Sequence, residues 1–217
     1  MTAYELKRMF ISVLYPNRCP FCDREIEWDK YFCDSCCTKL NFIDTAKTDT
    51  DMGEIIAVCA YDDAAKTIVY PMKDDNSGYA MWAAARLICD RLEAIGESFD
   101  VITSVPMLKV DYNKRGYNQT LLMAKEISEI MGIRLSKGIV KIKKTKSQKD
   151  LKGKARRTNL IGAFKASKPQ DLLGKRVLLI DDICTTGSTL SEVGKVIMSA
   201  GAESVTCAVF AKTVKNC

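Results

Sequence analysis

Residues 177 to 189 read V-L-L-I-D-D-I-C-T-T-G-S-T. Val177 to Ile180 are four consecutive apolar residues, the pattern of a short buried strand. Asp181 and Asp182 follow where such a strand is expected to end. Thr185-Thr186-Gly187-Ser188-Thr189 then form a small-residue loop that opens into a stretch with Leu190, Val193, Ile197 and Ala200 at helical spacing. Thr189 and Glu192 stand at capping-box spacing, which predicts a helix start near Ser188 or Thr189. A loop feeding a helix N-terminus presents backbone N–H groups and a partial positive charge, which suits a phosphate. Gly187 lets the backbone bend close to it. The paired carboxylates on the rim suit sugar hydroxyls or a divalent metal. A strand, an acidic pair and a Gly-Ser turn also arise by chance in α/β proteins, so the pair and the glycine alone define no site.

Outward from this stretch, strand-like and helix-like segments alternate. Strands are predicted at Ile55–Tyr61, Val101–Val105, Ile139–Ile142, Ile161–Phe164 and Val205–Phe210, and helices at Met81–Ile95 and from about Thr120 to Met131. Near-continuous apolar strands between helices imply an α/β fold with a mostly parallel sheet covered on both faces. Ligands of such sheets bind outside the carboxyl ends of the strands, where the acidic pair falls.

Two other segments are expected to face that crevice. After Val105 come Pro106-Met107-Leu108-Lys109 and then Lys114-Arg115-Gly116-Tyr117-Asn118-Gln119, a polar loop before a helix. Lys109, Arg115, Gly116, Asn118 and Gln119 suit a pyrophosphate, or else form a solvated loop. The second segment, Lys137 to Arg157, holds ten basic residues and one acid, Asp150. It carries +9 of a chain whose net charge is +6, leaving the remainder at −3. That concentration points to a polyanionic partner, through a mobile hood over a substrate or through nucleic-acid phosphates at Lys144, Lys146, Lys149, Lys152, Arg156 and Arg157. A plain solvated loop is the third reading. No aromatic residue lies between Lys141 and Arg157, so base stacking there is not supported.

The N-terminal part is of another kind. Cys19-Pro-Phe-Cys22 and Cys33-Asp-Ser-Cys36 give C-x2-C-x10-C-x2-C, the spacing of a structural zinc ribbon whose intervening segment returns as a short hairpin. Cys37 could replace Cys36 as fourth ligand, and redox use of the pairs is the lesser alternative. Four thiolates leave no open coordination position, so the zinc would be structural. Met1–Leu14 has the spacing of a short amphipathic helix, and Asp44–Gly53 reads as a linker. The expected domains are therefore a helix-and-ribbon module over residues 1–45 and a larger domain over 54–217.

Composition narrows the class. The 217-residue chain has 47% hydrophobic residues, ordinary for a globular protein. No apolar run approaches the roughly 20 residues needed to span a bilayer. With no signal-peptide pattern, a cytoplasmic location is expected. Cys59, Cys89, Cys184 and Cys207 sit in apolar surroundings as core residues, and Cys217 is terminal. Histidine is absent, so any proton transfer falls to carboxylates, lysine, tyrosine or the substrate.

Residues 177–189 closely resemble the phosphoribosyl-pyrophosphate (PRPP) motif of type I phosphoribosyltransferases. The resemblance implies that Asp181 and Asp182 hold the ribose hydroxyls and that Thr185, Thr186, Gly187, Ser188 and Thr189 wrap the 5′-phosphate. With the four-cysteine ribbon, the Ser104–Gln119 loop ending R-G-Y-N-Q, and Gln148, Leu151, Arg156, Asn159 and Ala163-Phe164, nearly the whole chain resembles the ComF (ComFC, GntX-like) family. That resemblance implies a type I phosphoribosyltransferase sheet behind a zinc ribbon, and PRPP bound with Mg²⁺. It also implies pentosyl transfer served by Asp181, Asp182 and Arg115, a role in DNA uptake with a competence helicase and single-stranded DNA, or a setting in sugar-acid use. An adaptor that holds DNA and a sugar phosphate without turnover is the alternative. One departure stands out. The family's Lys-Tyr-x-Gly element appears here as Lys73-Asp74 with Gly78 displaced, and Pro71 is expected to interrupt its helix, leaving Lys73 without an expected ligand role.

Overall fold

The computed structural model describes residues 2–43, 55–74, 78–144 and 160–214. Its elements are α1 (Ala3–Leu14), β1 (Ile55–Ala60), α2 (Asp63–Asp74), α3 (Gly78–Ile95), β2 (Val101–Ser104), α4 (Lys109–Arg115), α5 (Gln119–Met131), β3 (Arg134–Leu135), β4 (Ile139–Lys141), β5 (Phe164–Ala166), β6 (Arg176–Cys184), α6 (Ser188–Ser199) and β7 (Ser204–Lys212). The central sheet has five parallel strands in the order β1-β7-β6-β2-β3. β4 and β5 form a separate antiparallel pair.

Alternation along each strand divides the core into two layers. Leu178 and Ile180 of β6, with Ala208 and Phe210 of β7, join α2, α3 and α5 on one face. Val177, Leu179, Cys207 and Val209 point the other way, onto Leu190, Val193 and Ile197 of α6 and the β4–β5 pair. Both faces are covered, which is why the strands carry unbroken apolar runs. Cys59, Cys89, Cys184 and Cys207 are all buried, as their surroundings predict.

Several expectations are corrected. β6 does not end before the acidic pair but runs on to Cys184, because β7 pairs with it through Asp181, Ile183 and Cys184. The loop after Val105 contains α4, closed by Gly116 at φ 86°. The strand predicted at Ile161–Phe164 starts only at Phe164, since Gly162 (φ 64°) turns the chain and the Ala163 N–H donates to Leu160 O. α6 begins at Ser188, within the expected start, but Gly187 (φ 72°) holds the cap position and Thr189 lies inside the first turn. Pro71 does not interrupt α2. Ile68, Val69 and Met72 of that helix are fully buried, and their burial, about 1.5–3 kcal/mol each, outweighs the roughly 3 kcal/mol that an internal proline costs.

The N-terminal part packs directly on the sheet layer. α1 carries the Thr2–Glu5 capping box. It is held by Tyr4, whose hydroxyl accepts from Trp82 Nε1 (2.9 Å) and donates to Glu126, and by Arg8, 4.3 Å over the Trp82 ring. The predicted hairpin between the cysteine pairs is absent. The nearest antiparallel pairing is one bridge, Arg18–Glu25, around the first cysteine pair, and the buried Asn17 amide ties the intervening segment by donating to Lys30 O (3.0 Å). Phe32, Cys33, Cys36 and Leu40 join the same apolar cluster as Ile56, Val58 and Phe210. Residues 41–43 then pair with the outer edge of β1 through Ile43 N–H to Val58 O and Ala60 N–H to Asn41 O, covering a strand edge that would otherwise be exposed. The predicted linker, Asp44–Gly53, and Cys217 lie outside the described residues.

Candidate functional site

The crevice exists because β6 has unequal neighbours. β7 follows it to Cys184, whereas β2 leaves the ladder at Ser104, opposite Ile180. Past Ile180 one side of β6 is open, and Asp181 is the first residue beyond the break. A cleft of about 580 Å³ opens there, walled by Pro106, Met107, Asp111, Lys114, Arg115, Gln119, Lys73, Lys141 and Asp181. A small cavity bounded by residues 183–190 lies beside it, and Asp181 lines both.

The two carboxylates are not equivalent. Asp182 Oδ1 accepts from Ile183 N–H (2.8 Å). Its Oδ2 accepts from Lys73 Nζ (2.8 Å) and Gln119 Nε2 (3.3 Å), and Gln119 Oε1 accepts in turn from Arg115 (2.9 Å). Asp181 Oδ1 accepts from Asp182 N–H (2.9 Å). Burial raises the Asp181 pKa well above the usual carboxylate range, and the Asp182 charge adds to it. Burial also pushes Asp182 up, but Lys73, by its charge and hydrogen bond, together with Gln119, outweighs it and holds Asp182 below its ordinary value. Burial lowers Lys141, with Asp111 and Asp181 partly offsetting it across the cleft.

The loop Thr185–Thr189 leads into α6 with no side-chain cap on Gly187. Thr185 and Thr186 are exposed, Ser188 is buried, and the Thr186 and Ser188 hydroxyls lie 2.9 Å apart. A helix entered this way directs first-turn N–H donors toward the cavity.

The other expected site residues separate. Arg115 and Gln119 line the cleft. Lys109 lines a neighbouring cavity of about 240 Å³. Gly116 ends α4. Asn118 touches the cleft, yet its amide is occupied by the fold: Oδ1 accepts from Thr120 N–H (3.2 Å) and Nδ2 donates to Val105 O (3.3 Å). Lys144 is exposed near the β4–β5 pair, and Lys146, Lys149, Lys152, Arg156 and Arg157 lie outside the described residues. Sequence reasoning missed Lys73, whose helix it ended too early, and Asp111, which sits on the unforeseen α4. Lys141 was legible only as one of ten positive charges.

The sulfur atoms of Cys19, Cys22, Cys33 and Cys36 all lie within 4.8 Å of one another, with Cys22 and Cys33 3.6 Å apart. Tetrahedral zinc with bonds of about 2.3 Å needs sulfurs about 3.8 Å apart, so the four fit the metal. Cys37 is exposed and its thiol donates to Asp34 O (3.1 Å), which resolves the fourth position in favour of Cys36. Among the described residues no helix is long and apolar enough to cross a membrane.

A mostly parallel sheet of this order, with the acid pair beside a loop-to-helix turn, makes the larger part a phosphoribosyltransferase-type α/β protein, here carrying a four-cysteine zinc ribbon. The chain matches the phosphoribosyl transferase domain over residues 118–216 and the double zinc ribbon domain over residues 10–49. It is 27% identical over 194 residues to Competence protein F of Haemophilus influenzae, covering 86% of this chain and 81% of that one. It is 25% identical over 213 residues to the DNA utilization protein YhgH of Escherichia coli O6:H1, covering 92% of each. The chain thus combines a double zinc ribbon with a phosphoribosyl transferase domain and is similar over most of its length to these competence and DNA utilization proteins, as the ComF resemblance implies. Among solved structures it is similar to the glutamine PRPP amidotransferase of B. subtilis at 22% identity and a TM-score of 0.43. That match covers 60% of this chain and 26% of that one, so the chain spans about a quarter of the amidotransferase.

Proposed function

We propose that the cleft binds PRPP and transfers its phosphoribosyl group to an acceptor. The carrying observation is the position of Asp181 between a cation-lined cleft and the Thr185–Thr189 loop, bordering both. PRPP has the matching order of parts: a phosphate, a sugar diol and a pyrophosphate. In this reading the loop and the N-terminus of α6 take the 5′-phosphate. Asp181, with Asp182 behind it, takes the diol. Lys114, Arg115 and Lys141 face the pyrophosphate and stabilise the charge that develops as it leaves an oxocarbenium-like sugar. The carboxylate and phosphate oxygens are hard donors of the kind Mg²⁺ takes, and the ion would supply charge neutralisation at the pyrophosphate. Holding both reactants in line supplies much of the remaining rate.

Calorimetry with PRPP and Mg²⁺ tests this directly. The wild type should bind, and an Asp181→Asn, Asp182→Asn variant that keeps its zinc and its melting temperature should bind at least about 100-fold more weakly. Equal binding by the two proteins would remove the acid pair from the site.

The relatives' names, competence and DNA utilization, support a role in the uptake or use of DNA. A second reading, contact with single-stranded DNA, rests on the exposed Lys143, Lys144, Lys165 and Lys168 around β4 and β5. Replacing Lys143 and Lys144 by Glu should lower DNA affinity and flatten its dependence on salt by about one to two ions in the log–log slope. An unchanged slope would exclude this face as the DNA site.

A further inference from the structure

Lys73, like Asp111, lines the cleft from a place the sequence did not foretell. It comes from the last turn of α2, a helix on the layer that backs the sheet, and its ammonium reaches Asp182 at 2.8 Å. The same side chain lines the cleft beside Arg115, Lys114 and Asp181. Its side chain is 28% exposed against 8% for Asp182, so Lys73 has a route to solvent that its partner lacks.

The hydrogen bonds on Asp182 make this placement consequential. Oδ1 is taken by a backbone N–H, and Oδ2 by two donors, Lys73 and Gln119. A carboxylate oxygen has two lone pairs, so Oδ2 is filled. Gln119 is itself held by Arg115 and belongs to the first turn of α5. The Ile183 N–H is fixed in place by the backbone of β6. Lys73 is the donor that can depart, because it sits on a long flexible stem and keeps access to water. A sugar hydroxyl that engages Asp182 Oδ2 therefore does so by taking the position Lys73 holds.

We propose that Lys73 is an exchangeable counter-ion that occupies Asp182 in the ligand-free protein and moves to the pyrophosphate when the sugar diol takes its place. The proposal rests on the PRPP reading above and adds to it a coupling between the two ends of the ligand. The diol frees a cation, and the cation is retained only by a ligand that carries a second anionic group. A ribose phosphate without pyrophosphate has to displace Lys73 with nothing for the ammonium to meet. The cleft would in this way favour PRPP over ribose 5-phosphate beyond what extra contacts alone provide.

The test compares two ligands on the full-length, zinc-loaded protein. Wild type, Lys73→Met and Lys73→Arg are titrated by calorimetry with ribose 5-phosphate and with PRPP, each with Mg²⁺. Exchange predicts opposite signs in Lys73→Met: ribose 5-phosphate binds several-fold tighter because its competitor is gone, and PRPP binds about tenfold or more weakly because a charge-assisted contact is lost. Lys73→Arg should recover much of the PRPP affinity. If both ligands weaken in parallel in Lys73→Met, Lys73 only supports Asp182 and the proposal is overturned. It is overturned too if neither affinity changes. If the wild type binds ribose 5-phosphate and PRPP alike, coupling is excluded while the sugar-phosphate site stands. If the wild type binds neither, the PRPP reading itself fails and takes the proposal with it. A melting scan on each variant separates a ligand effect from unfolding.

Discussion

Stripping zinc from the intact protein should detach the ribbon from the sheet and lower the melting temperature by about 10 °C. Cys19, Cys33 and Cys36 are buried among apolar side chains of the same cluster as Ile56, Val58 and Phe210. Without metal, the four sulfurs lose the bonds that hold two chain turns together, in a segment whose only β-bridges are Arg18–Glu25 and Phe42–Cys59 among the described residues. Structural zinc supplies on the order of 10–16 kcal/mol to small ribbons, far more than turns of this kind supply alone. The cost to the rest of the protein is smaller. Phe32 and Leu40 leave the cluster, at about 1.5–3 kcal/mol each, and a change of that size shifts the melting of a protein this long by about 2–4 °C per kcal/mol. Hydrogen exchange should show protection lost across residues 16–43 and retained in β6 and β7. Metal-free protein with unchanged exchange and melting would show that the cysteines do not serve as a structural zinc site, and would revive a redox use of the two pairs.

Phe210→Ala should destabilise the protein by about 3–5 kcal/mol and lower its melting temperature by roughly 10 °C. Phe210 is fully buried, belongs to the inner strand β7, and shares its cluster with Ile68, Val69 and Met72 of α2. Cys59 approaches its backbone, the thiol donating to Phe210 O at 3.5 Å. Removing the ring leaves a cavity between a sheet and a helix whose backbones are fixed by other contacts, so collapse is limited and the cost is high. Against a total stability of about 5–15 kcal/mol this is a large share. Zinc content should not change. A shift below about 2 °C would mean that the helical layer on this face of the sheet is not packed as described.

The parts of the fold that could be read from sequence are those specified by local patterns. Apolar runs located β1, β2, β6 and β7, and the helical spacing of Leu190, Val193 and Ile197 located α6. The cysteine spacing located the metal cluster because tetrahedral geometry needs two such pairs. The errors have physical reasons. All seven residues of α4 are exposed, so it leaves no apolar periodicity to detect. Pro71 reads as a helix end, yet the burial of its neighbours overrides it. The carboxylate pair reads as the end of a strand, yet the ladder to β7 carries β6 past it.

What the sequence determined by itself is the chemistry on offer: two adjacent carboxylates, a small-residue loop before a helix, four thiols in two pairs, and a concentration of lysine and arginine with no histidine. These follow from residue identity and short spacing. The tertiary structure alone decided how that chemistry is divided. It left Asp181 at an open strand edge because β2 ends at Ser104 while β7 continues. It filled Asp182 Oδ2 by bringing Lys73 and Gln119 from two helices, 46 positions apart in the chain. Which carboxylate is open and which is masked depends on strand order and on how α2 and α5 pack against the sheet, and neither is carried by the residues on either side of the pair.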